Sequence, residues 1–120
     1  MKILLTGANG YIGMRLLPLL LEQGHEIVCA VRDKNRLSVN ARMLERITVI
    51  EIDFLQEPEV SKLPKDIDAA YYLIHSMTSS TSDFDEKEEL SARNFNTYLK
   101  NTNCKQVIYL SGIVNEENLS

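Results

Sequence analysis

Hydrophobic residues along the chain form short runs that alternate with longer amphipathic segments. Five runs have the length and composition of β-strands: Lys2–Thr6, Glu26–Val31, Ile47–Ile52, Ala69–Ile74 and Gln106–Leu110. Three segments have the hydrophobic periodicity of helices: Tyr11–Gln23, Asn35–Glu45 and Asp83–Lys100. The proline-containing segment Gln56–Asp66 predicts a loop, with one helical turn near Val60.

Strands that alternate with helices predict an α/β fold. Apolar strands of this kind form a parallel sheet that is covered by helices on both faces, giving three layers. Because crossover connections are right-handed, few topologies remain, and we expect five strands in the order 3-2-1-4-5. Ligands of such sheets bind at the carboxyl edge, beside the switch point between strands one and four.

The helical segments predict which side chains face the sheet. Ile12, Leu16 and Leu20 recur every four residues and are expected to lie on the buried face of the first helix. Pro18 removes one hydrogen bond inside this helix and predicts a mild kink. In the second helical segment, Leu37 and Leu44 are expected to face inward.

Length and composition limit the class of protein. The 120 residues, with 44% hydrophobic residues, fit one domain, here residues 1–120. Thirteen basic and seventeen acidic residues give a net charge of −4, which excludes a general nucleic-acid footprint. No apolar run is long enough to span a membrane, and the first residues leave no room for a signal peptide. Composition does not predict an oligomeric state.

The two cysteines indicate the compartment. Cys29 and Cys104 have neither a CxxC pattern nor a metal-binding spacing, so we expect no metal site. We interpret both as reduced, buried residues of a cytoplasmic protein.

A glycine-rich segment joins the first strand to the first helix. Gly7 permits a tight turn, Gly10 lets the backbone approach a pyrophosphate, and Gly13 allows close helix packing. The helix N-terminus would then offer its free N–H groups to phosphate. The context supports a dinucleotide site over a turn without a ligand, and the absence of Gly-Lys-Ser/Thr excludes a Walker loop. The expected loop contacts are Gly7, Asn9, Gly10, Tyr11, Ile12 and Gly13.

The spacing of these glycines resembles a particular superfamily. The segment TGANGYIG at residues 6–13 resembles the TGxxGxxG loop of the short-chain dehydrogenase/reductases, in their extended and atypical branches. The segments GHEI at 24–27, ARNF at 92–95 and VIYLSG at 107–112 are similar to later parts of those branches. The resemblance covers nearly the whole chain. It implies an NAD(P)-binding Rossmann domain of an oxidoreductase or nucleotide-sugar-epimerase-like protein.

The end of the second strand suggests which nucleotide is bound. Where NAD-binding members have an acid, this chain has Val31 followed by Arg32, and a guanidinium there can pair with a 2′-phosphate. Asp33 could be that acid, displaced by two residues, or the segment could be a solvated loop. We expect NADP in preference to NAD. The resemblance also implies that Asp53 contacts the adenine amino group, although it could instead be a turn residue.

The catalytic pair of the superfamily is missing from this sequence. No tyrosine is followed four positions later by lysine, so the Tyr-x-x-x-Lys pair is absent. We expect either an N-terminal portion of a longer protein, inactive by itself, or an atypical member that lacks the pair. The resemblance places His75 and Ser76 beside the cofactor and makes His75 and Ser111 candidates for catalysis. His75 could equally be a packed or solvent-facing residue.

Two functions remain open at this stage. The first is the NAD(P)-binding domain of an oxidoreductase or epimerase-like enzyme. The second is a sensor or scaffold that binds the dinucleotide without turnover. Hydride transfer by the full-length protein would distinguish them.

Overall fold

The computed structural model describes residues 1–73 and 86–109 in full, and residues 81–85 as the backbone of a helix. The strands are β1 (Lys2–Thr6), β2 (Glu26–Val31), β3 (Ile47–Glu51), β4 (Ala69–Tyr72) and β5 (Gln106–Tyr109). The helices are α1 (Tyr11–Glu22), α2 (Ala41–Leu44) and α3 (Thr81–Lys100). Short 3-10 turns occur at Lys34–Arg36 and Val60–Lys62.

The five strands form one parallel sheet with the order β3-β2-β1-β4-β5. This order confirms the predicted fold class and places the switch point between β1 and β4. At the end of β1, the Thr6 hydroxyl donates to the Tyr71 carbonyl at 2.9 Å and accepts from the Leu73 amide at 3.1 Å. The fully buried Thr6 side chain thus joins the carboxyl ends of the two strands at the switch point.

The core is divided by the sheet into two layers, because successive side chains of a strand point to opposite faces. Ile3, Leu5 and Cys29 lie on the face covered by α1. Leu4 and Val28 lie on the opposite face. There α3 contributes its own apolar stripe: Phe95, Tyr98 and Leu99. Helices therefore cover both faces of the sheet, as predicted.

The buried face of α1 differs in part from the prediction. Leu20 is buried as predicted, together with Gly13, Leu17 and Leu21, and Leu16 packs against the same core layer, whereas Ile12 is 41% exposed. The close approach of Gly13 to the preceding loop sets the rotation of the helix, and this turns Ile12 toward solvent. The helix continues through Pro18 to Glu22.

The second helical segment was predicted too long. Residues 35–45 contain the end of a 3-10 turn, an irregular stretch and the four residues of α2. The Asn40 side chain begins α2 by accepting from the Met43 amide at 2.8 Å. Leu37 is half-buried against the α1 layer as expected, but Leu44 is 50% exposed, since α2 ends there.

The cysteines also differ in part from the prediction. Both are free thiols, and Cys29 is buried, but Cys104 is only half-buried because it lies in the exposed connection before β5. Among the described residues, no helix is long and apolar enough to cross a membrane.

Candidate functional site

The glycine loop turns the chain sharply from β1 into α1. Gly7 has a φ of +71°, which is a left-handed conformation that residues with a Cβ rarely adopt. The Gly10 amide donates to the Gly7 carbonyl at 2.9 Å, and the Met14 amide donates to the Gly10 carbonyl at 2.9 Å. The loop is therefore a fixed turn that delivers the start of α1 to the carboxyl edge of the sheet.

The three glycines have different steric surroundings. A Cβ on Gly13 would lie 2.1 Å from the Gly7 oxygen and 2.8 Å from the Ala8 Cα, so no larger residue fits there. A Cβ on Gly10 would meet only the Gly7 oxygen, at 3.3 Å. Gly13 is thus required by the packing of the loop on the helix. The fold has more room for a side chain at Gly10 than at Gly13, and Gly10 lines the cleft described below.

The first turn of α1 is electropositive. The N–H groups of Tyr11, Ile12 and Gly13 belong to a first turn, which has no acceptors within the helix, and the turn contains no acidic residue. Arg15 stacks its guanidinium 3.9 Å from the centre of the Tyr11 ring. A cation here adds to the positive end of the helix dipole, so this terminus favours an anionic group.

The segment after β2 contains one acid and three basic residues. The Asp33 carboxylate accepts from the Asn35 amide at 3.0 Å, and its other oxygen lies 4.0 Å from Arg36 Nε. The Lys34 amide donates to the Glu51 carboxylate of β3 at 2.9 Å. Arg32 is exposed and, within the part of the chain that the structure describes, makes no hydrogen bond or ion pair.

Asp53 begins the loop after β3. One oxygen of its carboxylate accepts from the Leu55 amide at 2.9 Å, so Asp53 does take part in a turn, and the other oxygen makes no hydrogen bond or ion pair with the described residues. The Asn94 amide nitrogen donates to the carbonyls of Phe54 and Gln56 at 2.7 and 3.1 Å. Asn94 thereby fastens α3 to this loop, which agrees with a role in tying helix and sheet together.

Helix α3 forms the opposite wall. The Tyr72 and Ser91 hydroxyl oxygens lie 2.6 Å apart, and both residues are buried. Burial raises the pKa of the Tyr72 phenol above its ordinary value near 10, and the hydrogen bond with Ser91 opposes this shift in part. The phenol therefore keeps its proton at neutral pH.

These elements surround one cleft of about 730 Å³ at the carboxyl edge of the sheet. Six residues predicted from the sequence line the cleft: Gly7, Asn9, Gly10, Tyr11, Arg32 and Asp53. Ile12 and Gly13 are not among the lining residues. His75, Ser76 and Ser111 lie outside the described residues.

Several residues that line the cleft were not predicted from the sequence. They are Ala30, Val31, Ile52, Phe54, Leu55, Leu73, Lys87, Glu88 and Ser91. Most are apolar ends of strands or positions on α3, and their place follows from the packing of distant segments. The sequence did carry a signal for Ser91, because it lies one turn before Phe95 on the helix face that covers the sheet.

Solved structures with the same fold include several cofactor complexes. Yeast methylglyoxal/isovaleraldehyde reductase complexed with NADPH is 16% identical, with a TM-score of 0.73 over 91% of this chain and 36% of that one. UDP-glucose-4-epimerase from Stenotrophomonas maltophila, with bound NAD and formylated UDP-arabinopyranose, is 19% identical, with a TM-score of 0.74 over 95% and 38%. The Escherichia coli NADPH-dependent quinone oxidoreductase complexed with NADPH is 22% identical, with a TM-score of 0.66 over 89% and 35%.

These likenesses define the fold, and this chain spans less than half the length of those proteins. No curated protein matches the sequence significantly. A family model described as NAD(P)H-binding matches residues 7–119, which include the glycine loop and every wall of the cleft. On this match, the chain belongs to the NAD(P)H-binding family.

Proposed function

We propose that the chain is the NADP-binding domain of an oxidoreductase or nucleotide-sugar-epimerase-like protein. The observation that carries the choice of nucleotide is the contrast between Arg32 and Asp33. Arg32 lines the cleft and makes no side-chain hydrogen bond or ion pair with the described residues, whereas Asp33 accepts from the Asn35 amide at 3.0 Å within its own turn and lies 4.0 Å from Arg36 Nε. An unpaired guanidinium is the group that a 2′-phosphate binds in a bidentate manner.

The residues of the cleft fit the other parts of a dinucleotide. The glycine loop and the first turn of α1 provide N–H groups and positive charge for a pyrophosphate. Asp53 has an unengaged carboxylate oxygen that can accept from the adenine amino group. We place the adenosine half between Asp53 and α3, with the 2′-phosphate at Arg32.

The chemistry of the whole protein belongs to the same proposal. Bound NADP supplies hydride transfer, which is the step that oxidoreductases and nucleotide-sugar epimerases share. The similar structures include reductases with NADPH and an epimerase with NAD, and these likenesses support both classes. We assign His75 and Ser76 to the cofactor and keep His75 and Ser111 as candidates for catalysis. The free thiols Cys29 and Cys104 support a cytoplasmic location.

Isothermal titration calorimetry with NADPH and NADH tests the nucleotide. The wild type should bind NADPH more tightly, because only NADPH carries the 2′-phosphate. Arg32→Gln should weaken NADPH binding by about 10- to 100-fold, as expected for loss of a charge-assisted hydrogen bond, and leave NADH binding nearly unchanged. Arg42→Gln is the matched control, since Arg42 is also exposed but lies on α2, away from the lining residues.

Two results would contradict this proposal. A wild type that prefers NADH would show that Arg32 does not hold a phosphate. An Arg32→Gln variant that keeps its preference for NADPH would show that Arg32 is only a surface charge.

A further inference from the structure

A pair of buried hydroxyl groups lies at the wall that α3 gives to the cleft. Ser91 is 6% exposed and Tyr72 is 2% exposed, and their oxygens are 2.6 Å apart. Ser91 lines the cleft, whereas Tyr72 lies behind it in the core layer of α3. The cofactor assignment above makes no use of this pair.

The two hydroxyl groups carry two protons but share one hydrogen bond, so one proton is left without an acceptor among the described residues. Each hydroxyl has one donor, and one hydrogen bond joins the two. Neither hydroxyl makes another hydrogen bond with any described residue. A serine inside a helix often donates to the carbonyl four residues earlier, as the Thr97 hydroxyl does to Arg93 at 3.1 Å, but Ser91 makes no such bond. Because a buried donor without an acceptor destabilises a protein, the spare proton calls for an acceptor in the cleft.

The orientation of the pair follows from chemistry and position. Either hydroxyl can donate in this pair, but Tyr72 is only 2% exposed and belongs to the core layer, whereas Ser91 lines the cleft. If Ser91 donated, the phenol proton would have no acceptor in the core, so we take Tyr72 as the donor and Ser91 as the acceptor. The Ser91 proton is then available to the cleft, which this residue lines.

The neighbours of Ser91 show which part of a dinucleotide it faces. Phe95, one helical turn after Ser91, packs edge-on against Phe54, with ring centres 5.7 Å apart. Phe54 directly follows Asp53, and Asn94 holds the same loop through its carbonyls. Ser91 thus lines the same cleft as Asp53, on a helix that is fastened to the Asp53 loop, where the proposed function places the adenosine half.

We propose that the Ser91 hydroxyl, held in place by Tyr72, donates a hydrogen bond to an acceptor atom of the adenosine half of the bound dinucleotide. This proposal rests on the proposed function. It makes Ser91 a binding residue and Tyr72 a positioning residue.

The test compares binding of NADPH and of adenosine 2′,5′-bisphosphate, which contains only the adenosine half. Ser91→Ala should weaken binding of both ligands by the same factor, about 3- to 10-fold, the loss expected for one neutral hydrogen bond. Thr97→Ala is the matched control, because it also removes a hydroxyl from α3 but lies outside the cleft. This control should bind both ligands as the wild type does.

A double variant separates binding from folding. Ser91→Ala alone leaves the buried Tyr72 phenol without a partner and should lower the unfolding temperature. Adding Tyr72→Phe removes that phenol, so the double variant should regain stability while still binding as weakly as Ser91→Ala. Tyr72→Phe alone keeps the Ser91 donor and should bind more tightly than the double variant.

Several outcomes would overturn the proposal. Wild-type affinity in the double variant would show that the pair serves packing alone. A loss confined to NADPH, with the bisphosphate unaffected, would place the contact outside the adenosine half. If the wild type bound neither NADPH nor NADH, the proposed function would fail first, and this proposal would fail with it.

Discussion

Replacement of Gly13 by alanine tests how closely the loop packs on the helix. The added Cβ would lie 2.1 Å from the Gly7 oxygen, 2.8 Å from the Ala8 Cα and 2.9 Å from the Gly7 carbonyl carbon. All three are backbone atoms of a turn that hydrogen bonds hold in place, so no side-chain rotation can relieve the contact.

The magnitude follows from two opposing terms. Overpacking of this kind costs about 3 kcal/mol, at the upper end of the usual range, because the contact is with backbone. Alanine is favoured over glycine inside a helix by about 1 kcal/mol, which offsets part of the cost. We expect a net loss of about 2 kcal/mol, or a fall of about 8 °C in the unfolding temperature of a domain of this size.

Urea unfolding followed by circular dichroism measures this loss, and Gly10→Ala provides the comparison. A Cβ on Gly10 meets only the Gly7 oxygen at 3.3 Å, and Gly10 has an extended conformation with φ of −91°. Its free energy of unfolding should therefore stay within about 1 kcal/mol of the wild type. The same variant should bind dinucleotide more weakly, since its methyl group would occupy the approach of the pyrophosphate. An unchanged free energy of unfolding in Gly13→Ala would refute the steric reasoning.

Two further predictions concern the thiols and the activity of the chain. Burial raises the pKa of the Cys29 thiol to about 12, so only Cys104 should react with a thiol reagent at neutral pH until denaturant is added. Because the unfolded thiol ionises near pH 9, the Cys29 contribution to stability should be lost as the pH rises from about 9 to 12, and rapid labelling of both native thiols would contradict its burial. This 120-residue chain should consume no NADPH with carbonyl substrates, since it lacks a Tyr-x-x-x-Lys pair; steady consumption that His75→Ala abolishes would contradict this and make His75 catalytic.

Elements whose pattern is local were predictable from the sequence. The five strands, their order and the glycine loop follow from hydrophobic runs and from glycine at a position whose backbone conformation other residues rarely adopt, as at Gly7 with φ of +71°. The prediction of one helix over residues 35–45 was wrong, although the hydrophobic spacing there fits a helix. The chain instead forms a 3-10 turn and the short helix α2. Asp33 and Asn40 cap separate short turns there and divide the segment.

The site shows the same division between local and distant causes. Four loop residues predicted from the glycine pattern, Gly7, Asn9, Gly10 and Tyr11, line the cleft, and so do Arg32 and Asp53, which follow β2 and β3. The apolar strand ends that line the cleft were missed, because nothing local in their sequence separates them from the rest of the core. The prediction for Ile12 was wrong, although Leu16 and Leu20 do pack against the core, because hydrophobicity alone ranked Ile12 above Gly13, whereas close packing of the Gly7 carbonyl decides which side of the first turn is buried. Hydrophobic scales do not register a residue whose importance is the absence of a side chain.

Helical periodicity predicts which polar residues of α3 are buried, provided that it is applied to polar as well as to hydrophobic positions. Ser91, Asn94, Phe95 and Tyr98 have the spacing of one helical face, and all four are buried. A polar residue on such a face needs a partner, since burial without one is costly. Asn94 has found two carbonyls of the Asp53 loop, whereas the Ser91–Tyr72 pair keeps one donor unused. The same helical face therefore contains one polar residue, Asn94, that fixes the loop after β3, and another, Ser91, for which we propose a partner in the bound ligand.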